Sequence, residues 1–211
     1  MGLVLHTAPA ADAVSLDELK SELRITHASF DTDLRRKLRA AIGRVETVLG
    51  RKCITQVWDW TVGDLTTMEK NRDGLTFIRL PHPLQTVSGL WARDYAVGDV
   101  LVGTPILDED DAVIGNTLYA WDADAQPGRL FRKPGQVWPT SPSYYGYRIR
   151  YVAGYGDAAT AVPEIVRDAI MRTAVTLYRQ PEDAVTGTIA SSLPLDTLEL
   201  LQSSGEMVYS L

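Results

Sequence analysis

The amino-acid sequence predicts an α+β fold: a small helical bundle of two N-terminal and two C-terminal helices, with an inserted antiparallel β region. Three observations predict it. Apolar residues recur at helical spacing before residue 50 and again after Pro163. Between them, over residues 53–153, apolar residues alternate in short runs rich in Trp, Tyr, Val and Ile, broken by Gly, Pro and Asp. Hydrophobic residues make up 45% of the 211, enough to bury a core. The expected organisation is an N-terminal helical part (1–52), the inserted β region (53–153), and a C-terminal helical part with a docking tail (154–211), together one structural unit with an insertion.

The first helix is marked by Ser15 and Glu18, an S-x-x-E capping box in which each side chain serves an orphan amide. Val14 and Leu19 stand where a hydrophobic staple sits, and Leu16, Leu19 and Leu23 mark one face. A second helix is expected from about Asp31 to Leu49, capped by Ser29 or Asp31 and stopped by Gly50. Leu34, Leu38, Ile42, Val45 and Leu49 give it an apolar stripe. Strand periodicity then appears in "CITQVWDWTV", "LTFIRLP", "TVSGLWARD", "NTLYAWD", "GRLFRK" and "YRIRYVAG". Pro163 suits a first helical position, Glu164 complements the helix dipole, and Val166, Ile170, Ala174, Leu177 and Tyr178 line one face before Pro181. A last short helix is expected over Leu195 to Gln202.

Composition excludes several classes. The net charge of −6 argues against a dedicated duplex-DNA binder, which needs a strong basic footprint. With Cys53 as the one cysteine, no intramolecular disulfide forms, which fits a reducing compartment. The N-terminus has no basic, then apolar, signal-peptide pattern, and no run approaches the ~20 apolar residues of a membrane span.

Motifs with chemistry are scarce. "YVAGYGDAATAVPEIV" contains G-x-G-x-x-A at Gly154, Gly156 and Ala159. A dinucleotide site needs the helix to start at once, so that its amides meet the pyrophosphate, and a second parallel strand after it. Here the helix starts several residues late and no strand follows, so the loop reads as a connection. His6, His27 and His82 show no metal spacing and read as solvent-exposed loop histidines, with His6 in a mobile N-terminus. Cys53 lacks a neighbouring base and reads as a small buried residue. "LDEDDAV" at 107–113 lacks calcium-loop spacing and reads as an exposed hairpin turn. No catalytic, cofactor-binding or metal-ligating residue is expected. One electrostatic feature stands out. Residues 31–52 hold seven Lys/Arg against three Asp/Glu, which makes Arg35, Arg36, Arg39 and Arg44 candidates for a charged contact with a neighbouring subunit or DNA. The aromatic stretch "WPTSPSYYGY" at 138–147 reads as a contact loop.

Three stretches, in order, carry a resemblance. They are "SLDELKSELRITHASFDTDLRRKLRAAIGRVETVLGRKCITQVWDW", "IRLPHPLQTVSGL" and "IRYVAGYGDAATAVPEIVRDAIMRTAVTLYRQPEDA". Together they resemble the head–tail adaptor (connector) proteins of long-tailed phages, a type also carried by phage-derived gene transfer agents. The C-terminal stretch "SLPLDTLELLQSSGEMVYSL" departs from that pattern. The resemblance implies a virion or particle neck protein, made in the bacterial host cytoplasm, that forms a ring of about twelve copies, consistent with cyclic closure. It implies a portal protein on one side, tail-proximal neck or terminator (stopper) proteins on the other, and DNA passing through the bore without sequence-specific binding. No cofactor and no membrane contact are implied. Portal docking is expected of the apolar C-terminal residues Leu195, Leu198, Leu201, Met207 and Tyr209, which must bury their side chains somewhere. Two alternatives stand beside this reading: a DNA-binding regulator using the basic second helix, and a nucleotide-binding enzyme using the Gly154/Gly156 loop.

Overall fold

In the computed structural model, residues 2–63, 65, 69–70, 76–93, 98–103, 105–107, 113–138, 146–179, 197 and 201 are described. The chain divides into two compact units, and it passes between them three times, at residues 8–9, 54–55 and 154–155.

One unit is built of Met1–Ala8 and Thr55–Gly154. Its strands are β1 (Gly2–Thr7), β2 (Gln56–Val62), β3 (Glu69–Lys70), β4 (Thr76–Leu80), β5 (Leu84–Ala92), β6 (Val100–Leu101), β7 (Pro105–Leu107), β8 (Val113–Asn116), β9 (Tyr119–Asp122), β10 (Gly128–Arg132) and β11 (Tyr147–Ala153). They form a five-stranded sheet in the order β1-β2-β11-β5-β6, a four-stranded sheet β3-β4-β10-β9, and the hairpin β7-β8. Every pairing is antiparallel, as the alternating pattern and turn punctuation predict.

The strand register sorts the side chains. Leu3, Trp60, Ile149 and Leu90 lie opposite one another across four strands, and Ile149 and Leu90 are fully buried. With Val87, Tyr151, Leu130, Leu80 and Tyr119 they form this unit's core. Burial pushes the Tyr119 phenol up to about 12, against a hydrogen bond with the Leu90 backbone that lowers it. Gly89 is glycine for a local reason: a Cβ there would lie 2.4 Å from the Trp91 ring, which folds back over the strand.

The N-terminus corrects the sequence reading. Residues 2–7 were expected at the start of the helical part, with His6 mobile; they form β1, paired with β2. The partner strand lies some fifty residues further along the chain, beyond the reach of a local pattern. His6 Nδ1 lies 3.9 Å from Asp59 Oδ2. His82, expected exposed, is buried.

The other unit comprises Pro9–Ile54 and Tyr155–Leu211. It holds α1 (Leu16–Leu23), α2 (Asp31–Leu49), a short 3₁₀ turn at Ala159–Ala161, and α3 (Glu164–Arg179). The capping box forms as the sequence predicts: Glu18 N–H donates to Ser15 Oγ at 3.1 Å, and Ser15 N–H donates to Glu18 Oε2 at 2.7 Å. These bonds, chiefly the backbone one, hold the Glu18 carboxyl below its usual range. Arg167 ties the other Glu18 oxygen to α3. α2 ends at Gly50 in the left-handed region (φ 63°), as expected. Its N-cap is Phe30, with no side-chain cap bond, and not Ser29 or Asp31; Asp31 instead accepts from Lys20 Nζ at 2.8 Å. Leu19, Leu34, Leu38, Val45, Leu49, Val166 and Ile170 form the core. The expected fourth helix falls on residues of which Thr197 and Leu201 are described; both are helical and fully buried.

Candidate interaction surfaces

The glycine loop spends its amides on structure. Gly154 N–H donates to the Pro83 carbonyl at 2.9 Å, and Tyr155 N–H donates to the Cys53 carbonyl at 3.1 Å. The Gly154 carbonyl accepts from Gln85 Nε2 at 2.9 Å. A Cβ on Gly156 would meet Ala161 Cβ at 2.6 Å, so this glycine serves close packing. Two amides that a phosphate would need are already committed, and α3 begins only at Glu164.

Cys53 is buried, and burial, helped by the nearby Glu46 carboxylate, pushes its thiol up to about 12. Such a thiol is a poor nucleophile at neutral pH. Among the described residues no group of three His, Cys, Asp or Glu could hold a metal ion, and no helix is long and apolar enough to cross a membrane. The acidic cluster centred on 108–112 lies outside the described residues, as does most of the 138–147 stretch. Of the latter, Trp138 stacks on Tyr119 with ring centroids 6.3 Å apart.

The basic residues of α2, with Arg51 and Lys52 just beyond it, divide into two groups. Lys37 donates to the Leu177 carbonyl at 2.8 Å, Lys52 pairs with Glu46 at 3.1 Å, and buried Arg51 donates to the Tyr155 hydroxyl at 3.0 Å. These three hold the helical unit together. Arg35, Arg36, Arg39 and Arg44 are all exposed. Arg36 pairs with Asp33 at 2.7 Å, whereas Arg35, Arg39 and Arg44 make no ion pair among the described residues. At 100° per residue these four span about half of the helix circumference, opposite the Leu34–Leu38–Val45 stripe.

Of the expected docking residues, Leu195, Leu198, Met207 and Tyr209 lie outside the described residues. Leu201 is fully buried in the helical core, where the Val166 and Ile170 face of α3 also packs, so in this conformation it is not available for docking.

One surface is not legible in the sequence. On the side of the five-stranded sheet away from its core, Arg150 makes a bidentate pair with Asp59, with Nε–Oδ1 at 2.7 Å and Nη2–Oδ2 at 2.8 Å. The Arg148 guanidinium lies 4.6 Å from the centre of the Trp91 ring and the Arg150 guanidinium 5.5 Å. Asp99 pairs with Arg148 at 3.2 Å and with Arg93 at 3.5 Å. The hydrogen bond from Arg150 holds the Asp59 carboxyl well below the usual carboxylate range. The alternation "YRIRY" put Arg148 and Arg150 on one face, but only the strand order brings Asp59 and Trp91 beside them.

This architecture, taken over its whole length, has counterparts among solved structures. It is the fold of chains in gene transfer agent particles. A chain in the neck of an empty particle, solved with C6 symmetry, superposes with a TM-score of 0.74 at 20% identity, covering 100% of this chain and 98% of that one. A chain in the neck of a native particle, solved with C12 symmetry, gives 0.72 at 21% identity with the same coverage. A chain of the native gene transfer agent virion gives 0.72 at 22%, again over 100% and 98%. No family model and no curated protein matches the chain.

Proposed function

We propose that this chain is a structural head–tail adaptor in the neck of a gene transfer agent or tailed phage. In this reading it forms a ring of about twelve copies between the portal and the tail-proximal neck proteins, and DNA passes through the bore without sequence-specific binding. The observation that supports it best is the match of the entire fold, end to end, to chains of particle necks. The committed amides of the glycine loop and the raised Cys53 thiol speak against a nucleotide site at Gly154/Gly156 and against a thiol nucleophile. Electron microscopy of purified particles tests the proposal: density for this fold is expected as a ring at the neck, and particles lacking the chain there overturn it.

Portal docking falls to the C-terminal apolar residues Leu195, Leu198, Met207 and Tyr209, with Leu201 anchoring the segment in the helical core. Removing residues 203–211 leaves Leu201 in place; it is expected to keep the fold and block attachment to the portal, and normal attachment refutes the assignment of Met207 and Tyr209.

The exposed Arg35, Arg39 and Arg44 favour a second reading, a DNA-binding regulator. That reading requires an affinity for duplex DNA that falls steeply with salt. The adaptor reading requires little affinity at any salt.

A further inference from the structure

Among the described residues no strand pairs with the outer side of β1 or of β6, and both edge strands are apolar. β1, at one edge, is exposed along its length, with Leu3, Val4 and Leu5 at 49%, 61% and 42% exposure. β6, at the other edge, exposes Val100 and Leu101 at 51% and 41%. Proteins ordinarily guard an edge with charges, proline or a covering segment, because its open N–H and C=O groups recruit another strand. Neither β1 nor β6 contains a Lys, Arg, Asp, Glu or Pro.

The pairing geometry makes these two edges fit each other. Antiparallel steps lead from β1 to β2, from β2 to β11, from β11 to β5 and from β5 to β6. An even number of reversals leaves β1 and β6 running in the same direction. Opposed residues share a face of the sheet. Leu3 therefore lies on the core-facing side with Trp60, Ile149 and Leu90, and Val100, opposite Ala92, joins that side. Val4, opposite Asp59, lies on the other side, as does Leu101, opposite Trp91. A second copy in the same orientation can thus set Val100 beside Leu3 and Leu101 beside Val4, matching apolar residues on both faces at once. A contact between two different patches, repeated head to tail, is the kind that closes into a ring.

We propose that β6 of one copy joins β1 of the next in a parallel junction, Val100–Leu101 beside Leu3–Val4, and that repetition of this junction closes the ring. The inference rests on the adaptor reading and names its subunit contact. Because β6 contributes two residues, one junction is weak. A closed ring engages all junctions together, so the contact becomes effectively intramolecular.

The 211-residue chain tests this cleanly, because Cys53 is its sole cysteine and is buried with its thiol pushed up to about 12. Val4→Cys combined with Leu101→Cys, treated with a short bismaleimide at high protein concentration, is expected to give a covalent ladder beyond the dimer on a denaturing gel. Adding Leu3→Lys is expected to abolish the ladder while the circular dichroism spectrum is unchanged. An equal ladder from Thr47→Cys with Val137→Cys, exposed positions outside β1 and β6, means random collision and overturns the junction. Absence of a ladder overturns it as well. If native mass spectrometry of that sample still finds rings, the ring stands and its contact lies elsewhere. If the chain is monomeric at every concentration, the junction falls and the adaptor reading is decided on the particle neck.

Discussion

Arg150 and Asp59 face each other across β11 and β2 and exchange two charge-assisted hydrogen bonds, at 2.7 and 2.8 Å. A fork-to-fork pair of this kind fixes geometry as well as charge. Arg150 also lies near the Trp91 ring, so the pair ties β2, β11 and β5 together on the face opposite the core.

That pair makes stability depend on acid. The folded-state pKa of Asp59 lies below the unfolded value of about 3.8. Its contribution is therefore complete above the unfolded value and is lost as pH falls through the folded one. Asp59→Asn is expected to lower the unfolding free energy by about 1–3 kcal/mol at neutral pH. In urea titrations the gap from the natural chain should close as the pH falls below the unfolded value of about 3.8 and through the lower folded one. A gap of equal size in acid would show that the carboxylate charge is not its source.

Gly89→Ala introduces a methyl group where the Trp91 ring already lies, so the ring must leave its place over the strand. Loss of the Arg148 stacking should follow, with a destabilisation of about 1–3 kcal/mol, the usual range for overpacking. A changed near-ultraviolet dichroism signal with retained far-ultraviolet signal is the expected record. An unchanged near-ultraviolet spectrum would show that Trp91 is not held there.

Leu38, fully buried in the helical core, should tolerate truncation poorly. Leu38→Ala is expected to cost about 2–5 kcal/mol, combining lost transfer energy with the cavity left behind. Thermal or urea melts decide this, and a cost below 1 kcal/mol would mean that the site collapses freely or is not packed as described.

The α1 capping box offers a smaller, sharper test. Ser15→Ala removes the acceptor for Glu18 N–H and is expected to cost about 1 kcal/mol. Glu18→Gln keeps a side-chain acceptor for Ser15 N–H but weakens the tie to Arg167. The two effects should not add, because Ser15 and Glu18 share one network. Strict additivity in the double variant would argue against the coupling.

The helices were legible because their signals are local. Ser15 and Glu18, Gly50 and Pro163 each act within a turn of the helix end they mark. The long strands were legible for the same reason, since alternation such as Tyr147-Ile149-Tyr151 needs no partner to be seen. What escaped depends on contacts far apart in sequence. β1 is six residues whose partner lies beyond both N-terminal helices. β6 is a two-residue strand defined only by its bonds to Trp91 and Ala92. The arginine candidates of α2 were legible as charges, but the sequence did not separate Lys37, Arg51 and Lys52, which are used inside the unit, from Arg35, Arg39 and Arg44, which point outward. The Asp59–Arg150–Trp91 cluster exists only once the strand order is set.

The order of synthesis runs against the order of the sheet. β11 is the last of the five strands to leave the ribosome, yet it takes the middle place, between β2 and β5. Until it emerges, β2 and β5 have no common neighbour, and the nascent protein holds two unfinished halves of one sheet. The helical unit waits longer still, for α3 and Leu201. A translation product that stops early thus lacks the centre of one unit and a wall of the other. The two cores are not both complete until translation has passed Leu201.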